Sequence, residues 1–232
     1  MFTKTTLALL PLSFAACANT PSLQESENTP WRIEIFAEDA ELNEVEFTDP
    51  GFAELTLKDE SRKRTGIEAS YGNDTVRGVV RIYEEDLLDD AAGVAFGVEG
   101  QPYLTTLDWG KEGVDVLLQY GFTLGFTGSA DVTVGGNTGE MAYIEAVSEL
   151  GLALDMHNNL VPSIGLVNQS FEGAIEFDGE TGHEWDDNDV SGDYTSGYIG
   201  LDYAIEGAGA NVGVRGLFGD SNSIGVTLSW SF

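Results

Sequence analysis

The fold is decided by residues 114–126, whose sequence is VDVLLQYGFTLGF. Apolar side chains occupy every second position from Val114 to Phe126, and Leu117 is the one break in the alternation. Successive side chains of a β-strand point to opposite faces, so this stretch predicts one strand with an apolar face. At a tilt of about 40° its length is roughly 33 Å, close to the hydrocarbon core of a bilayer and about twice a usual globular strand. The stretch therefore predicts a strand that crosses a membrane.

Composition supports a single all-β unit and excludes one class of partner. The chain has 232 residues, of which 29 are glycine, and little of it has a helical pattern of apolar residues. Forty acidic residues against ten basic ones give a net charge of -30. Such a surface repels phosphate groups, so we expect no nucleic-acid partner. Nothing in the composition predicts an oligomeric state.

The N-terminal residues predict export. Lys4 precedes a short apolar run over residues 7–16, and small residues follow it, which is typical of a signal peptide over residues 1–18. Residues 19–30 are polar and predict a linker, and the β-barrel would occupy residues 31–232. Since no later segment has eighteen continuous apolar residues, a membrane crossing would require a closed barrel.

Cys17 is the only cysteine of the chain and lies where the signal ends. The sequence Phe14-Ala15-Ala16-Cys17 resembles a bacterial lipobox, in which the cysteine is lipid-modified and becomes the mature N-terminus. Leucine is the usual residue at the Phe14 position, so the match is partial. Ordinary cleavage after Ala18 is the alternative, and both routes take the chain out of the cytoplasm.

Alternating stretches recur from Trp31 to Phe232 and predict about twelve antiparallel strands, with eight to ten as alternatives. The charged cluster 58–64, the glycine-rich stretch 128–140 and the acidic stretch 178–193 are predicted loops, and Pro102 predicts a bulge. Short turns, including 48–51, would lie at one rim and longer loops at the other. This pattern is typical of a transmembrane β-barrel of the outer-membrane type.

The last ten residues, Ser223–Phe232, resemble the closing strand of Gram-negative outer-membrane proteins. Phe232 is the last residue, and Trp230, Leu228 and Val226 match the alternation. The resemblance implies a location in the outer membrane, contact with its lipid and lipopolysaccharide, and recognition of this strand by the barrel-assembly machinery. The alternative is a soluble, secreted or lipid-anchored acidic β-sandwich that binds a ligand or Ca²⁺.

If the apolar stripes face lipid, the alternating polar residues face the lumen. The candidates for lumen or pore residues are Asp115, Gln119, Thr123, Tyr143, Glu145, Glu149, Asp155, Asp202, Glu206, Arg32, Lys58, Arg77, Arg81 and Arg215. In a packed barrel these charges would pair with one another. In a water-filled barrel their excess of carboxylates would favour cations, which predicts a narrow, cation-preferring pore or a structural surface protein.

Two further sequence patterns are candidate sites. Asp187, Asp189 and Ser191 begin like a calcium loop, but Tyr198 occupies the twelfth position, where an acidic ligand is needed. A solvated acidic loop is the alternative, and no other cofactor is expected. His157 has no nucleophile beside it in sequence, whereas His183 lies among carboxylates that could form an Asp/His pair. We expect neither histidine to be catalytic and the protein not to be an enzyme.

Overall fold

The computed structural model describes residues 31–48, 55–86, 91–109, 113–134, 137–177, 189–205 and 207–232. These ranges hold eleven β-strands: β1 (Trp31–Thr48), β2 (Leu55–Gly72), β3 (Arg77–Glu85), β4 (Ala91–Gly100), β5 (Tyr103–Leu107), β6 (Val114–Val134), β7 (Asn137–Asp155), β8 (Leu160–Phe177), β9 (Asp189–Ile205), β10 (Ala210–Gly219) and β11 (Ser221–Ser231). No helix within them is long and apolar enough to cross a membrane.

Ten of these strands form a closed antiparallel ring. Each strand of the ring pairs with the strands before and after it in the chain, with two exceptions. β4 pairs directly with β6, so β5 is skipped, and β11 pairs with β1 to close the ring. β5 pairs with β6 alone among the described strands and lies outside the ring. The predicted all-β barrel is confirmed, with a strand count inside the predicted range, and the closed ring replaces the β-sandwich alternative.

The count is ten because two pairs of predicted strands are continuous. β1 runs unbroken through residues 31–48, and β2 runs through the charged cluster 58–64, which is not a loop. Within that cluster Arg62 and Arg64 pair with Ala40 and Glu38 of β1, so the charges alternate between the two faces of a strand. Thr48 therefore ends β1 at the rim opposite Trp31, and residues 49–51 of the predicted short turn lie outside the described residues.

Two other predicted boundaries also differ. β6 continues to Val134 and β7 begins at Asn137, so most of the predicted glycine-rich loop is strand. At Pro102 the strand is interrupted: β4 ends at Gly100, and the Pro102 carbonyl accepts a hydrogen bond from the Leu118 N–H at 2.9 Å. The irregularity predicted here is present just after the proline, as a register shift between Tyr103 and Thr105 in the pairing of β5 with β6. Proline has no N–H for the ladder, and the chain leaves the ring here to form β5.

The barrel has two distinct rims. At the turn rim the described chain begins and ends, and the Phe232 N–H donates to the Trp31 carbonyl at 2.9 Å. The turns 73–76 and 156–159 lie at the same rim. At the opposite loop rim β1 and β9 extend past the shorter β10–β11 hairpin and pair with each other at Glu46–Thr48.

Side-chain polarity divides the wall into two halves. In the membrane half, next to the turn rim, large apolar side chains point outward and are exposed, as at Ile33, Ile35, Ile199, Leu201 and Tyr203. On β6, which contains the stretch 114–126, Phe122 and Phe126 are exposed as predicted. Val114 and Val116 are instead buried, at the end of β6 that pairs with β5 and β7. This outward apolar belt is the surface expected against lipid.

In the loop half the polarity is reversed on the same strands. The outward residues are exposed and acidic or polar, and include Asp39, Glu41, Glu140, Glu172, Asp193 and Thr195. The inward residues are buried and apolar, and include Leu42, Met141, Phe171, Val190 and Tyr194. Phe171 contacts Tyr143 and Tyr194, with ring centroids 5.4 and 6.1 Å apart. This part of the wall has the pattern of a protein surrounded by water, with an apolar cluster inside the barrel.

Candidate functional site in the barrel lumen

All six arginines of the chain are buried, each with at most 8% of its surface exposed. They are Arg32, Arg62, Arg64, Arg77, Arg81 and Arg215. The buried carboxylates of the described residues are Glu34, Glu38, Glu68, Glu85, Glu99, Glu145, Glu149 and Asp202. Among the described residues of the lumen, six guanidinium groups therefore face eight carboxylates, so the buried charges nearly balance. An unpaired buried charge is costly, so the partners of these groups decide what the lumen can do.

The Glu145 clamp joins opposite sides of the barrel. One Glu145 carboxylate oxygen lies 2.8 Å from Arg62 Nη1, and the other lies 2.9 Å from Arg64 Nη1. The Gln169 side-chain amide also donates to Glu145, at 2.5 Å. Arg64 in turn pairs with Glu85 at 2.5 Å. Since β2 and β7 are four strands apart around the ring, this clamp crosses the lumen.

Aromatic hydroxyls extend the clamp. The Tyr143 hydroxyl donates to Glu85, and the Arg64 guanidinium carbon lies 4.4 Å from the centre of the Tyr83 ring. The Tyr83 hydroxyl lies 3.2 Å from the Thr127 hydroxyl. Strands β2, β3, β6, β7 and β8 thus share one connected set of hydrogen bonds, ion pairs and a cation–π contact in the middle of the barrel.

A second buried pair joins β10 to β7. Arg215 donates from both terminal nitrogens to the two Glu149 oxygens, at 2.8 and 2.7 Å. Its guanidinium carbon lies 3.9 Å from the centre of the Tyr198 ring, and the Tyr198 hydroxyl donates to Gln119 at 2.9 Å. Tyr198 fits over Gly151, where a Cβ atom would lie 2.1 Å from the tyrosine hydroxyl. Glycine is therefore required at this position for the ring to reach its partners.

The third group is the three-glutamate cluster, which consists of Glu34, Glu68 and Glu99 with Arg32 and Arg81. Arg32 pairs with Glu34, and Arg81 pairs with Glu68. Arg32 Nη1 also lies 3.7 Å from Glu99 Oε1. Glu34 and Glu68 are directly opposite each other on β1 and β2, an arrangement of like charges that is unfavourable without compensation.

Most of the predicted lumen residues are buried inside the ring. They are Arg32, Gln119, Thr123, Tyr143, Glu145, Glu149, Asp202, Arg77, Arg81 and Arg215. Arg77 lies close to the turn rim and pairs with Asp74 at 2.7 Å. Burial fixes where these side chains lie, and their role in a pore stays a prediction. Glu206 and the Lys58 side chain lie outside the described residues.

Asp115 and Asp155 lie apart from the buried groups, around His157 at the turn rim. His157 Nε2 lies 3.7 Å from Asp115 Oδ2, and Nδ1 lies 3.8 Å from Asp155 Oδ1. The Thr106 hydroxyl donates to Asp115 at 2.5 Å. All three members of this rim group are partly exposed, so it does not resemble the closed charge pairs of the lumen.

The predicted calcium loop is only partly described. Asp187, like His183 and Cys17, lies outside the described residues. Asp189 and Ser191 belong to β9, so residues 189–193 are strand where a loop was predicted. Among the described side chains no group of three or more His, Cys, Asp or Glu is arranged to hold a metal ion. Calcium binding by Asp187, Asp189 and Ser191 stays a prediction.

The clamp arginines are not among the lumen residues that the sequence predicts. The sequence predicts a loop at Arg62 and Arg64 because six charged residues lie between Lys58 and Arg64. The spacing of Arg62 and Arg64 indicates their direction, because both lie an even number of residues before Glu68 and Ser70. These two residues point inward on the same strand, so the arginines point inward as well. A period of two that continues through a charged stretch indicates a strand in a barrel with a polar interior.

Comparison with known proteins shows which solved structures have a similar fold. No protein-family model matches the chain, and no curated protein matches it. The transport unit of the autotransporter AIDA-I from Escherichia coli is similar in structure, with 11% sequence identity, 90% of this chain and 92% of that chain covered, and a TM-score of 0.51. The chain has an outer-membrane β-barrel fold.

Two further similarities are weaker. The β domain of the Bordetella autotransporter BrkA gives 14% identity, 88% and 99% coverage and a TM-score of 0.38. The toluene transporter TodX of P. putida gives 9% identity, 88% and 91% coverage and a TM-score of 0.27. The barrel fold together with the exposed apolar belt confirms the predicted location in the outer membrane of a Gram-negative bacterium.

Proposed function

We propose that this protein is a non-enzymatic structural barrel of the outer membrane whose lumen is filled by its own side chains. The membrane half anchors the barrel in lipid, and the loop half carries an acidic outer wall above it. By the usual arrangement of such barrels, the turn rim faces the periplasm and the loop rim faces the exterior. The lipid and lipopolysaccharide of the outer membrane would surround it.

The observation that supports this proposal most strongly is the Glu145 clamp. Arg62 and Arg64 reach Glu145 from across the ring, and all three side chains are at most 1% exposed. The apolar cluster of Leu42, Met141 and Phe171 lies further toward the loop rim. An ion crossing the barrel would have to displace both layers, and separating the buried ion pairs is costly.

Planar-bilayer recording tests the filled lumen. We expect the purified barrel to insert without giving a steady current. A variant with both layers emptied, by Arg62→Ala, Arg64→Ala and Glu145→Ala in the clamp and by Leu42→Ala, Met141→Ala and Phe171→Ala in the apolar cluster, should conduct if its gel mobility shows that it is folded. A steady current through the unaltered barrel, equal to that of this variant, would contradict a filled lumen.

A narrow, cation-preferring pore is the second candidate. It is favoured by the two-charge excess of carboxylates among the buried charged groups of the described lumen. In such a pore these carboxylates would attract cations and exclude anions. A reversal potential measured in a tenfold gradient of potassium chloride separates the two candidates, because only a conducting, cation-selective barrel gives a potential close to that of K⁺.

Three further features belong to this proposal. The closing strand β11, with Trp230 and Phe232, would be recognised by the barrel-assembly machinery.

Cys17 would be lipidated in the mature protein, and mass spectrometry of the purified barrel tests this modification. Calcium at Asp187, Asp189 and Ser191 would bridge the loop rim to lipopolysaccharide, and calorimetry with Asp187→Ala tests that contact.

A further inference from the structure

The hairpin of β5 and β6 projects past the turn rim and carries an open strand edge. Gly100, the last residue of β4, pairs with Tyr120 of β6. Tyr103, the first residue of β5, pairs with Leu117, so β5 continues the ladder of β4 on β6. β3, the other neighbour of β4, begins at Arg77 and does not reach β5. The edge of β5 that faces away from β6 is therefore unpaired among the described strands.

Backbone groups are directed to this free edge at Thr106. The Leu118 N–H donates to the Pro102 carbonyl at 2.9 Å, so Leu118 turns its backbone groups toward β5. Successive residues of an antiparallel strand alternate in this direction, so Asp115 turns its backbone groups to its other neighbour, β7. Thr106 is directly opposite Asp115 and points its own N–H and C=O away from β6. These groups are available to a further strand.

The projecting hairpin also carries apolar side chains that are not covered. All five residues of β5 are exposed. Leu104 and Leu107 are 50% and 45% exposed, and Trp109, just after the strand, is 66% exposed. A two-stranded hairpin is marginally stable in water, and large apolar side chains grouped on a surface are typical of an interaction site.

The far end of the hairpin lies beyond the lipid. Trp31 and Tyr71, with ring centroids 4.9 Å apart, place the turn rim at the level of the headgroups. At roughly 3.3 Å per residue and a tilt of about 40°, the five residues of β5 carry the hairpin about 12 Å further. A headgroup layer is only roughly 5–7 Å thick. Leu107 and Trp109 are therefore in the aqueous space, which is the periplasm in the proposed orientation.

The charges at this rim favour a basic partner. Asp108 is exposed between the two apolar residues at the end of the hairpin, and Asp115 and Asp155 are partly exposed nearby. Among the described residues of the turn rim no lysine or arginine is exposed. Residues 19–30 of the chain contain two glutamates and no basic residue, and a second copy would bring another net charge of -30. Both would be repelled, whereas a basic segment would be attracted.

We propose that the free edge of β5 binds an extended, basic and apolar polypeptide segment of another protein as an added β-strand. The Thr106 backbone would exchange hydrogen bonds with the segment. Leu107 and Trp109 would contact its apolar side chains, and Asp108 would pair with its basic ones. The inference goes beyond the proposed function and requires no conduction, so it can fail or succeed independently of the bilayer recording.

The test uses the full-length barrel in a zwitterionic detergent and a fluorescent peptide of alternating lysine and valine. Fluorescence anisotropy should show saturable binding. Exchange of the Thr106 amide hydrogen should slow when the peptide is bound, because strand addition pairs this N–H. A peptide of the same sequence, methylated on the backbone nitrogens that pair with the edge, should bind about tenfold more weakly through the loss of its hydrogen bonds.

Variants separate strand addition from attraction to the acidic surface. Thr106→Pro removes the N–H at the free edge and should weaken binding about tenfold. Thr106→Val is the matched control, because it removes the same hydroxyl bond to Asp115, keeps the N–H and should bind as the unaltered barrel does. The double variant Leu107→Ser and Trp109→Ser keeps the backbone edge and should bind several-fold more weakly, which gives a second test if Thr106→Pro does not fold.

Three results would overturn the site. Equal binding by Thr106→Pro and Thr106→Val would show that the peptide binds elsewhere on the acidic surface. Slower exchange of the Thr106 amide in phosphatidylcholine vesicles without peptide would show that lipid covers the edge. Slower exchange at increasing barrel concentration would show that a second copy covers it. Each result leaves the conductance experiment, and the proposed function it tests, unaffected.

Discussion

The membrane half and the loop half of the barrel are built from the same strands with opposite polarity. On β9, Ile199, Leu201 and Tyr203 point outward in the membrane half, while Asp193 and Thr195 occupy the same face in the loop half. The strand does not break where the polarity changes. A strand in this protein therefore continues as long as its backbone hydrogen bonds to the neighbouring strands continue. Which of its faces is apolar depends on whether lipid or water surrounds the barrel at that height.

The interiors of the two halves differ for the same reason. The loop half is surrounded by water and gains stability by burying Leu42, Met141 and Phe171 inside. The membrane half faces lipid, where apolar side chains gain little from turning inward. Its interior is held by ion pairs and hydrogen bonds such as those of Glu149 and Arg215. The Glu145 clamp lies where the two kinds of interior meet.

The largest expected effect comes from the boundary between the halves. Glu145→Ala leaves Arg62 and Arg64 buried side by side without their shared carboxylate. Removing one partner of a buried ion pair costs roughly 3–5 kcal/mol, so the free energy of unfolding in urea should fall by about that amount. The control is Glu140→Ala, which removes an exposed carboxylate from the same strand and should change stability by less than about 0.5 kcal/mol. Equal losses in the two variants would show that the clamp is not a structural element.

An intermediate effect on the free energy of unfolding should come from placing an arginine on the outward face of β9, first in the membrane half and then in the loop half. Ile199→Arg puts a guanidinium on the lipid-facing belt and should cost about 2–4 kcal/mol. Asp193→Arg changes the same face of β9 six residues away, in the loop half, and should change the unfolding free energy by less than about 0.5 kcal/mol. Urea titrations in lipid vesicles measure both. If Asp193→Arg proved as costly as Ile199→Arg, the wall would have no polarity boundary between these residues.

A smaller effect should come from the glycine under Tyr198. Gly151→Ala would place a Cβ atom 2.1 Å from the tyrosine hydroxyl and displace the ring from Gln119 and Arg215. Overpacking of this kind costs about 1–3 kcal/mol. Gly216→Ala is the control, because the nearest atom to its Cβ would be 3.9 Å away. The unfolding temperatures of the two variants, measured by gel mobility, should differ by several degrees, and identical values would show that Tyr198 has room to move.

The sequence predicted the barrel because its signal is local. Alternation from Val114 to Phe126 and the aromatic end at Phe232 are features of single strands, and each can be recognised without its neighbours. The outward residues of the membrane half were predicted for the same reason. Strand count was less accurate, because β1 and β2 continue into the loop half, where the exposed side chains of Asp39, Glu41 and Lys63 are charged and the apolar outward stripe is interrupted.

Partners inside the lumen were beyond the reach of the sequence. Arg62 and Glu145 are 83 residues apart, and nothing local indicates that they meet. The pairing of Arg215 with Glu149 likewise depends on the closed ring, which brings β10 and β7 to the same level of the barrel. Closure and register are global properties, so the set of inward residues could be predicted but their contacts could not.

The most direct test of the polarity change is an accessibility scan along the outward face of β9. With Cys17 replaced by serine, single cysteines at Ser191, Asp193, Thr195, Ile199, Leu201 and Tyr203 would carry a spin label in lipid vesicles. We predict that labels at residues 191–195 collide mainly with a water-soluble nickel complex and labels at residues 199–203 mainly with oxygen dissolved in lipid. Preferential collision with the nickel complex at all six positions would contradict the account, because the apolar belt would then face water.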